Sequence, residues 1–80
     1  MTRATKNVDK VIGPAVEVGN LVIMREKPFR HGDVISSMNS HGLHSSNYIE
    51  GFMTTEGFMD RREAAEFVGT GGELSTIDLW

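Results

Sequence analysis

Arg30, His31 and Asp33 stand almost side by side at the opening of a predicted helix. The planar guanidinium of Arg30 matches a phosphate through a two-pronged hydrogen bond. The His31 ring offers a hydrogen bond or a flat face, and Asp33 can accept from a nucleobase amine or hold His31 in one tautomer. Helix N-termini carry unpaired N–H groups and the positive end of the helix dipole, which suits anions. The same residues also have a purely structural reading, in which Asp33 caps the helix and Arg30 is solvated surface. Arg61 and Arg62 form a second cationic pair, in the first turn of another predicted helix, where positive charge is mildly unfavourable. A local rule broken without local gain marks a function or a partner contact. The alternative is an ion pair, for example from Arg62 to Glu66 one turn later.

Other chemistries find less support in the chain. His41 and His44 have a spacing compatible with metal ligation, and His31 offers a third nitrogen. Gly42 breaks the helix between them, no cysteine is present and no carboxylates cluster nearby, so they read as solvated loop histidines. No metal and no cofactor is expected. Ser36, Ser37, Ser40, Ser45 and Ser46 surround these histidines, but a nucleophile needs a base and an orienting group at fixed distances. No nucleophile elbow, P-loop or dinucleotide fingerprint occurs. Gly69-Thr70-Gly71-Gly72 is followed by no lysine or helix start, so it reads as a helix cap and linker. The expectation is a binder of an anionic ligand rather than an enzyme, with no catalytic residue and with Arg30, His31, Asp33, Arg61 and Arg62 as ligand-binding residues.

Eighty residues make a single domain, 1–80, of which 1–7 reads as a loose N-terminal segment. A chain of this size buries only about 60% of its unfolded surface. Without cysteine it has no disulfide to add, so assembly as a homo-oligomer, a dimer or tetramer, is expected. The charge count of 8 Lys and Arg against 11 Asp and Glu, a net of −3, argues against a DNA or RNA binder. No apolar run approaches the roughly 20 residues of a membrane span. The start Met-Thr-Arg-Ala-Thr-Lys lacks the apolar stretch of a signal peptide, so a cytoplasmic location is expected.

The elements that position these residues follow from periodicity and turn chemistry. Val8 to Val18 reads as an extended segment bent at Gly13-Pro14. Gly19-Asn20 has the length and chemistry of a two-residue hairpin turn, leading into the strand Leu21-Val22-Ile23-Met24. Arg25 to Phe29 is a polar connector. From Gly32 or Asp33 to about His41, Val34, Ile35 and Met38 recur at helical spacing, and Gly42 sits at the C-cap with Leu43 as its apolar contact. Ser45-Ser46-Asn47 is loop. Tyr48 to Thr54 reads as a strand, Thr55-Glu56-Gly57 as a three-residue loop with Gly57 in the left-handed position, and Phe58-Met59 as the returning strand. Asp60-Arg61-Arg62-Glu63 follows the capping-box pattern and opens a helix bearing Ala64, Ala65, Phe67 and Val68. Phe52, Phe58, Tyr48, Phe67 and Trp80 read as core or subunit interface rather than a ligand shelf; in an oligomer one of them could do both, stacking on a base at a subunit boundary. The fold class is α+β, a small domain of antiparallel hairpins and two short helices.

Arg30-His31 with Asp33 close behind, Gly51-Phe52, Gly57-Phe58, Arg62-Glu63-Ala64 and the closing Asp78-Leu79-Trp80 occur in an order that resembles a widespread family of short bacteriophage proteins. The resemblance spans about Val8 to Trp80. The chain departs from it in the inserted Arg25 to Phe29, in Met59 and the Arg61-Arg62 pair, and in lacking a Lys-rich segment before the closing motif. Such proteins look like the phage anti-CBASS sponges, immune-evasion proteins that sequester cyclic dinucleotide defence signals such as cyclic GMP–AMP. The resemblance implies stoichiometric capture in the host bacterial cytoplasm by Arg30, His31 and Asp33, with Arg61 or Arg62 as a supplementary phosphate contact. A different expectation compatible with the acidic balance is a protein-interaction module that blocks a host defence factor.

Overall fold

Strand formation starts where β-branched residues meet a partner to pair with. In the computed structural model, which describes residues 5–40, 42 and 47–79, Val11–Val18 forms β1 and Leu21–Met24 returns beside it as β2. Their register puts Val18 opposite Leu21 and Ala15 opposite Met24, so Gly19 and Asn20 are the turn. Val8–Lys10, expected to be extended, instead makes a single 3-10 turn, because the ladder to the next strand begins only at Val11 opposite Thr54. Ile49–Thr54 is β3 and Gly57–Asp60 is β4. Tyr48, expected at the head of β3, lies just before it. The sheet order is β2-β1-β3-β4, antiparallel throughout.

The β3–β4 hairpin is tighter than its sequence reads. Thr54 pairs with Gly57, leaving Thr55 and Glu56 as the turn instead of a three-residue loop. The Thr54 hydroxyl donates to the Gly57 carbonyl at 2.9 Å and accepts from the Glu56 N–H at 3.0 Å, which draws Gly57 into the ladder. Gly57 holds φ at 105°, the positive value expected for it and one that a side chain would strain.

α1 spans His31–Ser40, starting earlier than the predicted Gly32 or Asp33. The cause is Asp33, whose carboxylate accepts the Arg30 N–H at 2.8 Å, while the Asp33 N–H bonds the Arg30 carbonyl at 2.9 Å, so Arg30 becomes the capping residue. Gly42 takes a left-handed φ of 76° and bonds back to the Asn39 carbonyl, as expected of a helix stop. His41, Leu43, His44, Ser45, Ser46 and Trp80 lie outside the described residues. α2 spans Arg61–Val68 and has the predicted capping box, with Asp60 accepting from the Glu63 N–H at 2.8 Å and Glu63 from the Asp60 N–H at 3.1 Å. Gly69 closes α2 on the Ala65 carbonyl. Thr5 and Lys6, in the segment expected to be loose, donate backbone N–H groups to the Val68 carbonyl, and Asn7 donates to Phe67.

Alternation along the strands places Pro14, Val16, Ile23, Glu50, Phe52 and Met59 on one face of the sheet, and both helices pack there. α1 covers one end, where Val34 and Met38 join Val16. α2 covers the other, where Ala64, Ala65 and Val68 join Phe52, Val11 and Leu74. The result is a two-layer α+β domain whose opposite sheet face carries exposed Val22 and Ile49. Gly51 sits where β3 is crowded by its neighbour: an added Cβ would collide with the Met59 carbonyl oxygen and lie 2.8 Å from the Phe58 ring.

Phe52 is fully buried at the centre of the larger cluster. Truncating such a residue costs about 3–5 kcal/mol, against a total near 4–12 kcal/mol for a domain of this length. Phe52→Ala is therefore expected to remove a large share of the folding free energy, read as a clearly lowered urea midpoint. A midpoint within experimental error of the wild type would contradict this core.

Candidate functional site

Glu50 is the one charged residue among those facing the helices from β3, and its surroundings define the site. It lies between the residues covered by α1 and those covered by α2, at the seam of the two helices. β4 ends at Asp60, which caps α2, so the first turn of α2 presents Arg61 and Arg62 directly beside that seam. The Arg61 guanidinium is held at both ends. One arm donates to the Glu50 carboxylate at 2.8 Å, and the other to the Leu74 carbonyl at 2.7 Å. The Leu74 N–H in turn bonds the Arg61 carbonyl at 2.9 Å, and Leu74 is fully buried. The segment after α2 is thereby fastened across the helix start.

These residues border an open groove of about 420 Å³ lined by Tyr48, Glu50, Asp60, Arg61, Arg62 and Glu73. The volume lies within the range of small-molecule sites. Among the described residues Arg62, Glu73 and the Tyr48 hydroxyl make no hydrogen bond or ion pair, whereas Arg61, Glu50 and Asp60 are engaged in the contacts above. The groove therefore offers one cation, one carboxylate and an aromatic ring to a ligand. The sequence alternative of an Arg62–Glu66 pair is not formed; Arg61 pairs with Glu50 instead.

Of the five residues expected to bind ligand, the structure brings Arg61 and Arg62 to this groove and places the other three elsewhere. His31 is buried: its Nε2–H donates to the Gly51 carbonyl at 2.6 Å, and its ring meets Phe52 edge-on at 4.9 Å between centroids. A carbonyl only accepts, so Nε2 carries the proton. Burial pushes the His31 pKa below its usual 6.5; the Gly51 hydrogen bond and Glu50 oppose that shift, and Arg61 adds to it. Asp33 holds the start of α1, as its structural reading has it. Arg30 is exposed and donates to the Thr76 hydroxyl at 2.9 Å, linking the start of α1 to the C-terminal 3-10 turn Thr76–Asp78.

Tyr48, Glu50 and Glu73 were not legible as site residues. One signal was available for Glu50, a charged residue alternating in register with buried Phe52, which needs a partner on the core side. Tyr48 reads equally well as core, and Glu73 falls in a glycine-rich linker that gives no placement. Among the described residues no three His, Asp or Glu side chains are grouped to hold a metal. No helix among them is long and apolar enough to cross a membrane. Comparison with protein families, characterised proteins and solved structures finds no match to this chain.

The lowered His31 pKa fixes a sign for acid sensitivity. The unfolded chain takes up the proton near 6.5 and the folded chain only at lower pH, so protonation favours unfolding. Stability is complete above about pH 6.5 and falls as pH drops through that value towards the native pKa. Urea midpoints measured at about pH 7.5 and about pH 5 should fall more for wild type than for His31→Gln, which lacks the titrating ring. An equal fall in both would contradict the assignment.

Proposed function

We propose that this chain is a capture protein for a phosphate-bearing nucleotide, and within that class for a cyclic dinucleotide defence signal, which it holds without breaking a bond. The observation that carries the reading is Arg62, a guanidinium with no ion pair among the described residues, on the rim of the groove. The groove also contains the half-buried Tyr48, whose ring packs on the Val16, Val34 and Met38 cluster and whose hydroxyl makes no hydrogen bond among those residues. A guanidinium binds phosphate oxygens through charge-assisted, two-pronged hydrogen bonds. An aromatic ring supplies a face on which any base can stack. Arg61 supports the site differently from the sequence expectation: paired to Glu50 and Leu74, it fixes the groove wall.

Capture without turnover agrees with the arrangement of the lining groups. Asp60 is committed to a helix cap and Glu50 to Arg61, and among the described residues no side chain bonds Glu73 to orient it as a general base. A dimer or tetramer acting in the host bacterial cytoplasm belongs to the same proposal. Exposed Val22 and Ile49, on the sheet face away from the groove, supply the apolar surface for that association and leave each protomer's groove open.

Isothermal titration with cyclic dinucleotides tests this directly. Wild type should bind one of them, and the ligand recovered after denaturation should be chemically intact. Arg62→Ala removes a charge-assisted contact and should weaken binding about 10- to 100-fold. Because Arg62 is exposed and makes no ion pair among the described residues, the ligand-free melting temperature should stay within about 2–4 °C of wild type. Recovery of a cleaved product would make the chain an enzyme. Absence of binding together with retention of a host defence protein would favour the interaction-module reading.

A further inference from the structure

We propose that the groove selects a guanine base, with the Glu73 carboxylate reading its Watson–Crick edge; this rests on the nucleotide reading of the groove. Glu73 is exposed and makes no hydrogen bond or ion pair among the described residues, yet its backbone position is fixed. The next residue, Leu74, is fully buried, and both its N–H and its carbonyl are bonded to Arg61. The carboxylate is thus delivered to the groove by an anchored segment, not by a free tail.

An ionised carboxylate has acceptors only. Guanine presents two adjacent donors, N1–H and the N2 amine, at a spacing that the two oxygens of one carboxylate match. Adenine and cytosine present one amine beside a ring-nitrogen lone pair, which repels the second oxygen. Uracil and thymine present one N–H between two carbonyls. Guanine is therefore the base whose edge satisfies Glu73 without leaving an acceptor facing it. Tyr48 supplies the flat face for the ring, and Arg62 the phosphate contact. A free amino acid would satisfy Arg62 and Glu73 as well, but it would leave the Tyr48 face and much of a 420 Å³ groove unused.

The experiment is a set of dissociation constants for cyclic di-GMP and cyclic di-AMP with the full chain. A good bidentate pair discriminates against the wrong base by about 10- to 100-fold, and that is the preference expected of wild type for cyclic di-GMP. Glu73→Gln turns one acceptor into a donor that faces the guanine N–H groups. It should lower cyclic di-GMP affinity and raise cyclic di-AMP affinity, because the amide's oxygen and N–H match adenine's amine and ring nitrogen, so the guanine preference is lost while the ligand-free melting temperature stays unchanged. Arg62→Ala should weaken both ligands alike. Equal affinities in wild type, or a guanine preference that survives in Glu73→Gln, would overturn the guanine assignment while the nucleotide reading stands. Binding of neither ligand would overturn both.

Discussion

A single guanidinium, Arg61, holds three distant parts of the chain together. It opens α2, pairs with Glu50 on β3 and donates to the Leu74 carbonyl in the segment after α2. A cation in the first turn of a helix opposes the helix dipole at a cost of about 0.3–1 kcal/mol. The Glu50 pair is about a third exposed, and pairs exposed to that degree contribute on the order of 1 kcal/mol, enough to offset this. Its larger consequence is geometric. With Arg61 occupied on both arms, Arg62 is left facing outward and Glu73 is fixed beside the groove, so the free groups of the site follow from the engagement of one neighbour.

A second junction joins the two halves of the core. α1 packs on one end of the sheet and α2 on the other, and the two clusters share no buried residue. His31 bridges them: it belongs to α1, bonds the Gly51 carbonyl and meets Phe52, which sits under α2. Arg30 adds a link from the start of α1 to Thr76. The residues that looked most like a phosphate cradle thus act on the packing of α1, while the pair that looked misplaced on its helix borders the groove.

The division between what the sequence revealed and what it hid follows the range of each interaction. The Gly19-Asn20 turn, the Asp60–Glu63 capping box and the Gly69 stop are set by neighbours within a few residues, and their residue types carry that information directly. The burial of His31 depends on a carbonyl 20 positions away, and the Arg30–Thr76 link spans 46. Residue types at the start of a helix cannot distinguish a ring that turns towards a ligand from one that turns into a core. The Arg61-Arg62 pair was legible as an anomaly because it violates dipole preference locally. Its explanation lay in Glu50 and Leu74, 11 and 13 positions away. The β3–β4 turn is one residue shorter than its residue types predict, because the Thr54 hydroxyl, a side-chain contribution, tightens it.

The central claim is that ligand is held at the start of α2 beside the anchored Glu73, and not at the start of α1. Backbone amide shifts followed by NMR during titration with cyclic di-GMP locate the contact surface residue by residue. The account predicts that the largest changes fall on Tyr48, Glu50, Arg61, Arg62 and Glu73, with Arg30 and Thr76 nearly still. Changes centred on Arg30 and Thr76, or none at saturating ligand, would contradict it.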